Sequence, residues 1–277
     1  MKRMLLAVDG THSGITARAF GLKWAQRQGA EVTGLAVLDV DAMTGAEAVP
    51  LGASSYKAHR DEQHVQADRK YLDAQLKAFT TSAAGLGVKS SEILSSGDPV
   101  EAIVTEADVH DVIVMGRTTT FDLGQETPSL DIVTRLLGAA PRPVIVTPDA
   151  GTADGDVLVA YDGSVSSVRA LQLFALLGDA WRKNRVVVLT VDETTDRAAR
   201  LAQRATSYLA AHGYAATARP VTSAREPVNV ILEVAGEMKA GLIVQGAFGN
   251  RSWLDFLLGS TTTAMLRDSK IPLFMSH

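Results

Sequence analysis

Short apolar runs alternate with longer stretches of mixed polarity along the whole chain. In the second half the runs are VLVAY (157–161), VVVLTV (186–191), a weaker ATARPV (216–221), GLIVQG (241–246) and PLFM (272–275). Between them, residues 168–177, 198–211, 228–239 and 261–267 place apolar positions at helical spacing. Strands that are apolar throughout, alternating with helices, predict a parallel sheet covered on both faces. Five strands and four helices in roughly 125–150 residues predict one doubly wound α/β layer. Ligands of such sheets bind at the carboxyl ends of the strands, where the strand order reverses. The loops after the first and fourth strands are therefore where chemistry is expected.

The pattern occurs twice. Residues 3–19 read RMLLAVDGTHSGITARA and residues 156–170 read DVLVAYDGSVSSVRA, so Asp9 aligns with Asp162 at an offset of 153. The second strand keeps that offset, with VTGLAVLD (32–39) opposite RVVVLTVD (185–192). DVIVMG (111–116) then matches GLIVQG (241–246) at an offset of 130. The first copy is thus longer by about 23 residues, assigned to 41–63, which mixes Gly, Pro, Ser and charges and reads as a long loop entering a helix. TPDAGTADGD (147–156) reads as a short linker. The expected domains are 1–149 and 155–277, each a five-stranded parallel sheet with helices on both faces.

Composition narrows the chemistry. The 277 residues contain no cysteine, which excludes disulfides, thiolate metal sites and a cysteine nucleophile. Lys+Arg at 27 against Asp+Glu at 31 leaves no broad footprint for nucleic acid. No apolar run approaches the ~20 residues of a membrane span. Lys2 and Arg3 precede only the short run from Met4 to Val8, which Asp9 ends, so no signal-peptide core forms. A cytoplasmic location is the expectation. His12, His59 and His64 stand at irregular spacing without a paired carboxylate motif, and no metal site is assigned.

One loop carries the candidate chemistry. GAFGNRSWLDFLLGST (246–261) spaces Gly246, Gly249 and Gly259 before a helix opened by Ser260 and Thr261. Glycines let backbone N–H groups approach a phosphate, and a helix N-terminus adds unpaired N–H groups and a positive dipole end. The same residues also make an ordinary glycine-punctuated loop and helix cap. There is no Walker lysine and no GxGxxG fingerprint. Asp162 either caps the next helix or accepts a sugar hydroxyl. Val191 either packs in the core or meets a purine.

The two halves resemble tandem universal stress protein domains over almost the whole chain. The resemblance rests on AVDGT and VAYDGS, SGDPVEAI (96–103), DVIVMG and the 246–261 loop, which is similar to the family's Gly-x2-Gly-x9-Gly-Ser/Thr motif. It implies an adenine-nucleotide α-hydrolase-like domain binding ATP or AMP, with Mg2+ as companion ion. Carried over residue by residue, Asp162 would meet the ribose and Val191 the adenine through its backbone, next to Ala160 and Tyr161. Gly246, Gly249, Gly259, Ser260 and Thr261 would hold the phosphates. It also implies that the two domains pair through their last strands, VIVTP (144–148) and PLFMSH (272–277), as an intramolecular pseudo-dimer, with a homodimer of whole chains left open.

The second copy departs from the pattern at Tyr161 for Val8, Gln245 for Met115, and Arg225-Glu226-Pro227 for Gly97-Asp98-Pro99. The first copy departs more, with GRTTTFDLGQETPSLDI (116–132) placing Thr119 at the second glycine and Asp131 at the helix start. Asp131, with Asp122 and Glu126, is expected to repel a polyphosphate, so the first copy is not expected to bind ATP in the family's mode. The expected function is a nucleotide-binding stress regulator or sensor with an unidentified protein partner. Slow ATP hydrolysis, with Arg251 the one near cation, and a ligand-free scaffold are the competing readings. No catalytic residue is assigned.

Overall fold

The computed structural model describes residues 1–40, 54–121, 129–151, 154–247 and 260–277. The strands of the first half are β1 (Arg3–Ala7), β2 (Glu31–Leu38), β3 (Ser90–Ser96), β4 (Val112–Gly116) and β5 (Val144–Thr147). Those of the second are β6 (Asp156–Ala160), β7 (Val186–Asp192), β8 (Ala216–Thr222), β9 (Ala240–Gly246) and β10 (Leu273–Ser276). All ten form one sheet in the order β3-β2-β1-β4-β5-β10-β9-β6-β7-β8. Every neighbouring pair is parallel except β5 and β10, which run antiparallel with Ile145 opposite Phe274. The expected pairing through the last strands is therefore present, and it fuses the two five-stranded sheets.

Burial follows strand position. RMLLA of β1 and VIVMG of β4 are nearly wholly buried, as central strands covered on both faces must be. The outermost strands, SSEILSS of β3 and ATARPVT of β8, are mostly exposed or half-buried. Pro220 of β8 has no N–H to donate, which an edge strand tolerates and a central strand does not.

The α-helices among the described residues are α1 (His12–Gln28), α2 (Ser54–Gly85), α3 (Pro99–Ala107), α4 (Asp131–Ala139), α5 (Val165–Leu177), α6 (Thr195–Ala211), α7 (Pro227–Glu237) and α8 (Ser260–Asp268). α1 packs beside α2 and α3 beside α4, as the usual right-handed crossovers of such a strand order place these pairs on opposite faces, and α5, α6 and α7, α8 hold the matching places in the second half. Local chemistry sets the starts. Thr11 caps α1 by accepting the Gly14 N–H at 2.9 Å, and Asp98 caps α3 by accepting those of Val100 and Glu101, with Pro99 at the first position.

Of the extra length of the first copy, the described part is helix. Its helix begins at Ser54, and residues 41–53 lie outside the described residues. At 32 residues α2 is far longer than the 17-residue α6, which holds the same place in the second copy. Leu72, Leu76, Phe79 and Ala83 make its buried stripe. The first turns carry charge instead, with Lys57 and Asp61 paired four residues apart at 3.2 Å, which is why residues 54–63 show no apolar period.

Contacts beyond the strand pair tie the halves. Phe20 of α1 stacks on Trp181, with ring centroids 6.4 Å apart. Lys23 and Arg27 pair with Asp154, and Arg117 pairs with Asp149 while donating to the carbonyls of Arg267 and Ser269. Because β5 and β10 are antiparallel, the carboxyl ends of the two sets of strands point to opposite edges of the sheet.

Phe274 is fully buried at this seam and meets Phe174 edge-on with centroids 6.0 Å apart. Phe274→Ala is expected to cost about 3–5 kcal/mol, read by urea denaturation followed by circular dichroism.

Candidate functional site

In the second half the strand order reverses between β6 and β9, so the candidate residues converge at their carboxyl ends. Ala160 ends β6, and the chain turns through Asp162 and Gly163, the latter at φ +78°. Ser164 then caps α5 by accepting the Ser167 N–H at 3.3 Å. The Asp162 carboxylate accepts the Ser164 N–H at 2.9 Å and is otherwise exposed. A cavity of about 140 Å³ opens here, lined by Ala160, Tyr161, Asp162, Val191, Gly246 and Thr261 among others. It is smaller than the roughly 300–1,000 Å³ of a complete small-molecule site. Ser260 opens α8 beside Thr261 and is exposed, while Gly249 and Gly259 lie outside the described residues.

The sheet assigns these residues to two faces. A Cβ on Gly246 would lie 2.7 Å from the Ser167 amide nitrogen, so this glycine faces α5 and exists because the helix packs so close. Gly116 does the same in the first half, where a Cβ would lie 2.5 Å from the Gly14 nitrogen. The first glycine of the motif thus has a packing reason independent of phosphate. Gln245, one residue earlier, points to the opposite face, toward α7 and α8. The register Val159↔Val244 and Ala160↔Leu189 puts Ala160, Leu189 and Val191 on that same face. Tyr161 faces the other way, where burial raises its phenol pKa and Arg204 opposes that shift.

Sequence reasoning assigned no role to Pro227 and Ile231 of α7 or to Thr262 of α8, all of which line the cavity. Pro227 had a signal, since it aligns with Pro99 of the quoted SGDPVEAI segment. Thr262 had none, because the Ala247 carbonyl to which its buried hydroxyl donates lies 15 residues away in the chain.

The equivalent place in the first half is filled by its own chain. Asp9 is 2 % exposed. Its carboxylate accepts the Thr120 N–H at 2.9 Å and the Thr11 hydroxyl at 3.0 Å. Thr119, at the second-glycine position, folds its hydroxyl back to accept the Gly116 N–H at 3.0 Å, which holds the turn after β4 down over Asp9. The Tyr71 hydroxyl of α2 lies directly over Gly10, in the space a Cβ there would need. The closure thus comes from residues 118–121 and Tyr71. Asp131, expected to repel a polyphosphate, does open α4, with its side chain exposed and 3.8 Å from Arg135, and Asp122 and Glu126 lie outside the described residues.

Burial pushes the Asp9 carboxyl up to about 6, against the hydrogen bonds from Thr11 and Thr120 that favour its charge. Folded Asp9 therefore keeps its proton to higher pH than the unfolded chain, whose value is 3.8. Its contribution to stability is fully present below about pH 3.8 and is lost as pH rises through about 6. Between pH 4 and pH 7, wild type is expected to lose up to about 3 kcal/mol relative to Asp9→Asn, read from paired denaturation curves.

The comparisons with known proteins agree with this architecture. The family model described as the universal stress protein family matches residues 1–148 and again 155–277. A universal stress protein of Synechocystis is 25 % identical over 292 residues, covering 99 % of both chains. The crystal structure of a universal stress protein from Archaeoglobus fulgidus is similar with a TM-score of 0.72 at 21 % identity, covering 99 % of this chain and 97 % of that one. A universal stress protein solved in complex with cAMP is 29 % identical, covering 44 % of this chain and 96 % of its own, with a TM-score of 0.39. With two consecutive matches that together span nearly all of its length, this chain belongs to the universal stress protein family and carries two of its domains in tandem.

Proposed function

We propose that the second domain binds an adenine nucleotide, ATP or AMP, and that the chain acts through it as a stress-response regulator. The observation that supports this most directly is the contrast between the two aspartates. Asp9 is spent on its own chain, whereas Asp162 stands exposed at the mouth of a cavity. A carboxylate placed so accepts two vicinal sugar hydroxyls, and charge-assisted bonds of that kind are the stronger ones. The base lies on the Val191 side, where Leu189 and Ile231 supply apolar walls. The phosphates extend toward Ser260 and Thr261, whose N–H groups open α8 and meet negative charge with the positive end of the helix dipole. Gly249 and Gly259 of the loop would complete that cradle, with Mg2+ accompanying a triphosphate. The first domain serves as the fixed partner of the second.

The test is calorimetric titration of the full chain with ATP and AMP. One nucleotide per chain is expected. Asp162→Ala is expected to weaken binding about ten- to a hundredfold, the worth of a hydrogen bond to a charged group. Ser260→Asp is expected to abolish ATP binding by placing a charge at the phosphates, while Asp9→Asn leaves affinity unchanged. Absence of binding at millimolar nucleotide would overturn the reading.

A further inference from the structure

The floor of the second-domain cavity holds one polar group that the protein leaves unsatisfied. Gln245 is 5 % exposed, and its Nε2 is fully buried without a hydrogen-bond partner. A buried amide without a partner is costly to keep, and folded proteins seldom retain one without a use. The Thr262 hydroxyl, which lines the same cavity, donates to the Ala247 carbonyl and does not accept from the Gln245 amide. The matching residue of the first domain, Met115, carries no such group.

Position says what the amide meets. Gln245 on β9, Ala160 on β6 and Val191 on β7 share one face of three adjacent strands. Adjacent strands lie about 4.8 Å apart, so a flat ring over Ala160 reaches Val191 on one side and Gln245 on the other. The Ala160 methyl leaves that space open, and Ile231 and Pro227 of α7 close it from above. A carboxamide offers one donor and one acceptor in a plane. Adenine presents the complementary pair, a donor at N6 and an acceptor at N7, whereas hypoxanthine and guanine present two acceptors at the same edge.

We propose that Gln245 hydrogen-bonds the N6/N7 edge of an adenine base lying over Ala160, and so selects adenine over 6-oxopurines. This rests on the nucleotide reading of the second domain and adds to it the residue that chooses the base.

The experiment titrates full-length wild type and Gln245→Met with ATP, ITP and 7-deaza-ATP, the last lacking the N7 acceptor. Wild type is expected to bind ATP about tenfold or more tightly than either analogue, as one bidentate base contact provides. In Gln245→Met, ATP binding should fall about tenfold and the three ligands should bind alike. Without ligand, the variant should melt at or above the wild-type temperature, because an unsatisfied amide has been removed. If wild type does not distinguish the three, or if Gln245→Met still does, the proposal is overturned while the nucleotide reading stands. A lower melting temperature for the variant would make the amide a packing element and also overturn it. If wild type binds no nucleotide at all, the function proposed above fails and this assignment with it.

Discussion

The antiparallel pairing of β5 with β10 is the contact on which the arrangement of the molecule depends. Each half on its own would leave an apolar last strand, Val144–Thr147 or Leu273–Ser276, with unpaired backbone groups on its outer side. Joining them satisfies both at once and carries one hydrophobic core across the seam. It also fixes the direction of everything else. The strands of the two halves run oppositely, so the two places where a ligand could sit face opposite edges and cannot share one ligand.

Within each half the close approach of a helix to the fourth strand sets the local geometry. Gly116 and Gly246 leave no room for a side chain against α1 and α5. That contact brings Ser13 or Ser166 beside the end of the strand, and with it the loop that follows. In the first half Thr118 uses the proximity, bonding to Ser13 through both its hydroxyl and its N–H, and the turn settles onto Asp9. The same scaffold therefore yields a sealed carboxylate on one edge and an exposed one on the other. The difference lies in a few loop residues and in the long helix that carries Tyr71.

Much of the fold was legible in the sequence because its signals are local and repeated. Apolar runs such as VVVLTV predict buried strands by composition alone, and the offset between Asp9 and Asp162 aligns two copies without any knowledge of contacts. The pairing of the last strands came from the family resemblance. The candidate site was legible only where chemistry and position coincide, as at Asp162 and Thr261. Tyr71 was not, because a polar aromatic on an amphipathic helix gives no sign of which distant turn it will cover. Nor did the sequence show that Thr119 and Thr120 would close the turn over Asp9. Gln245 could be seen as a departure from Met115, but that its Nε2 lacks a partner depends on which groups the fold brings around it, a long-range fact.

The covalent link between the halves has a consequence for assembly. Separate single-domain chains joined edge to edge would come apart on dilution, since their pairing depends on concentration. Here residues 147–156 hold the two edge strands together, pinned at Asp149 and Asp154 by Arg117, Lys23 and Arg27. A short tether converts such an encounter into an intramolecular one, with effective concentrations in the millimolar range. The paired state is thus independent of how much protein a cell makes. The loops of one domain can then diverge from those of the other without loosening the pair.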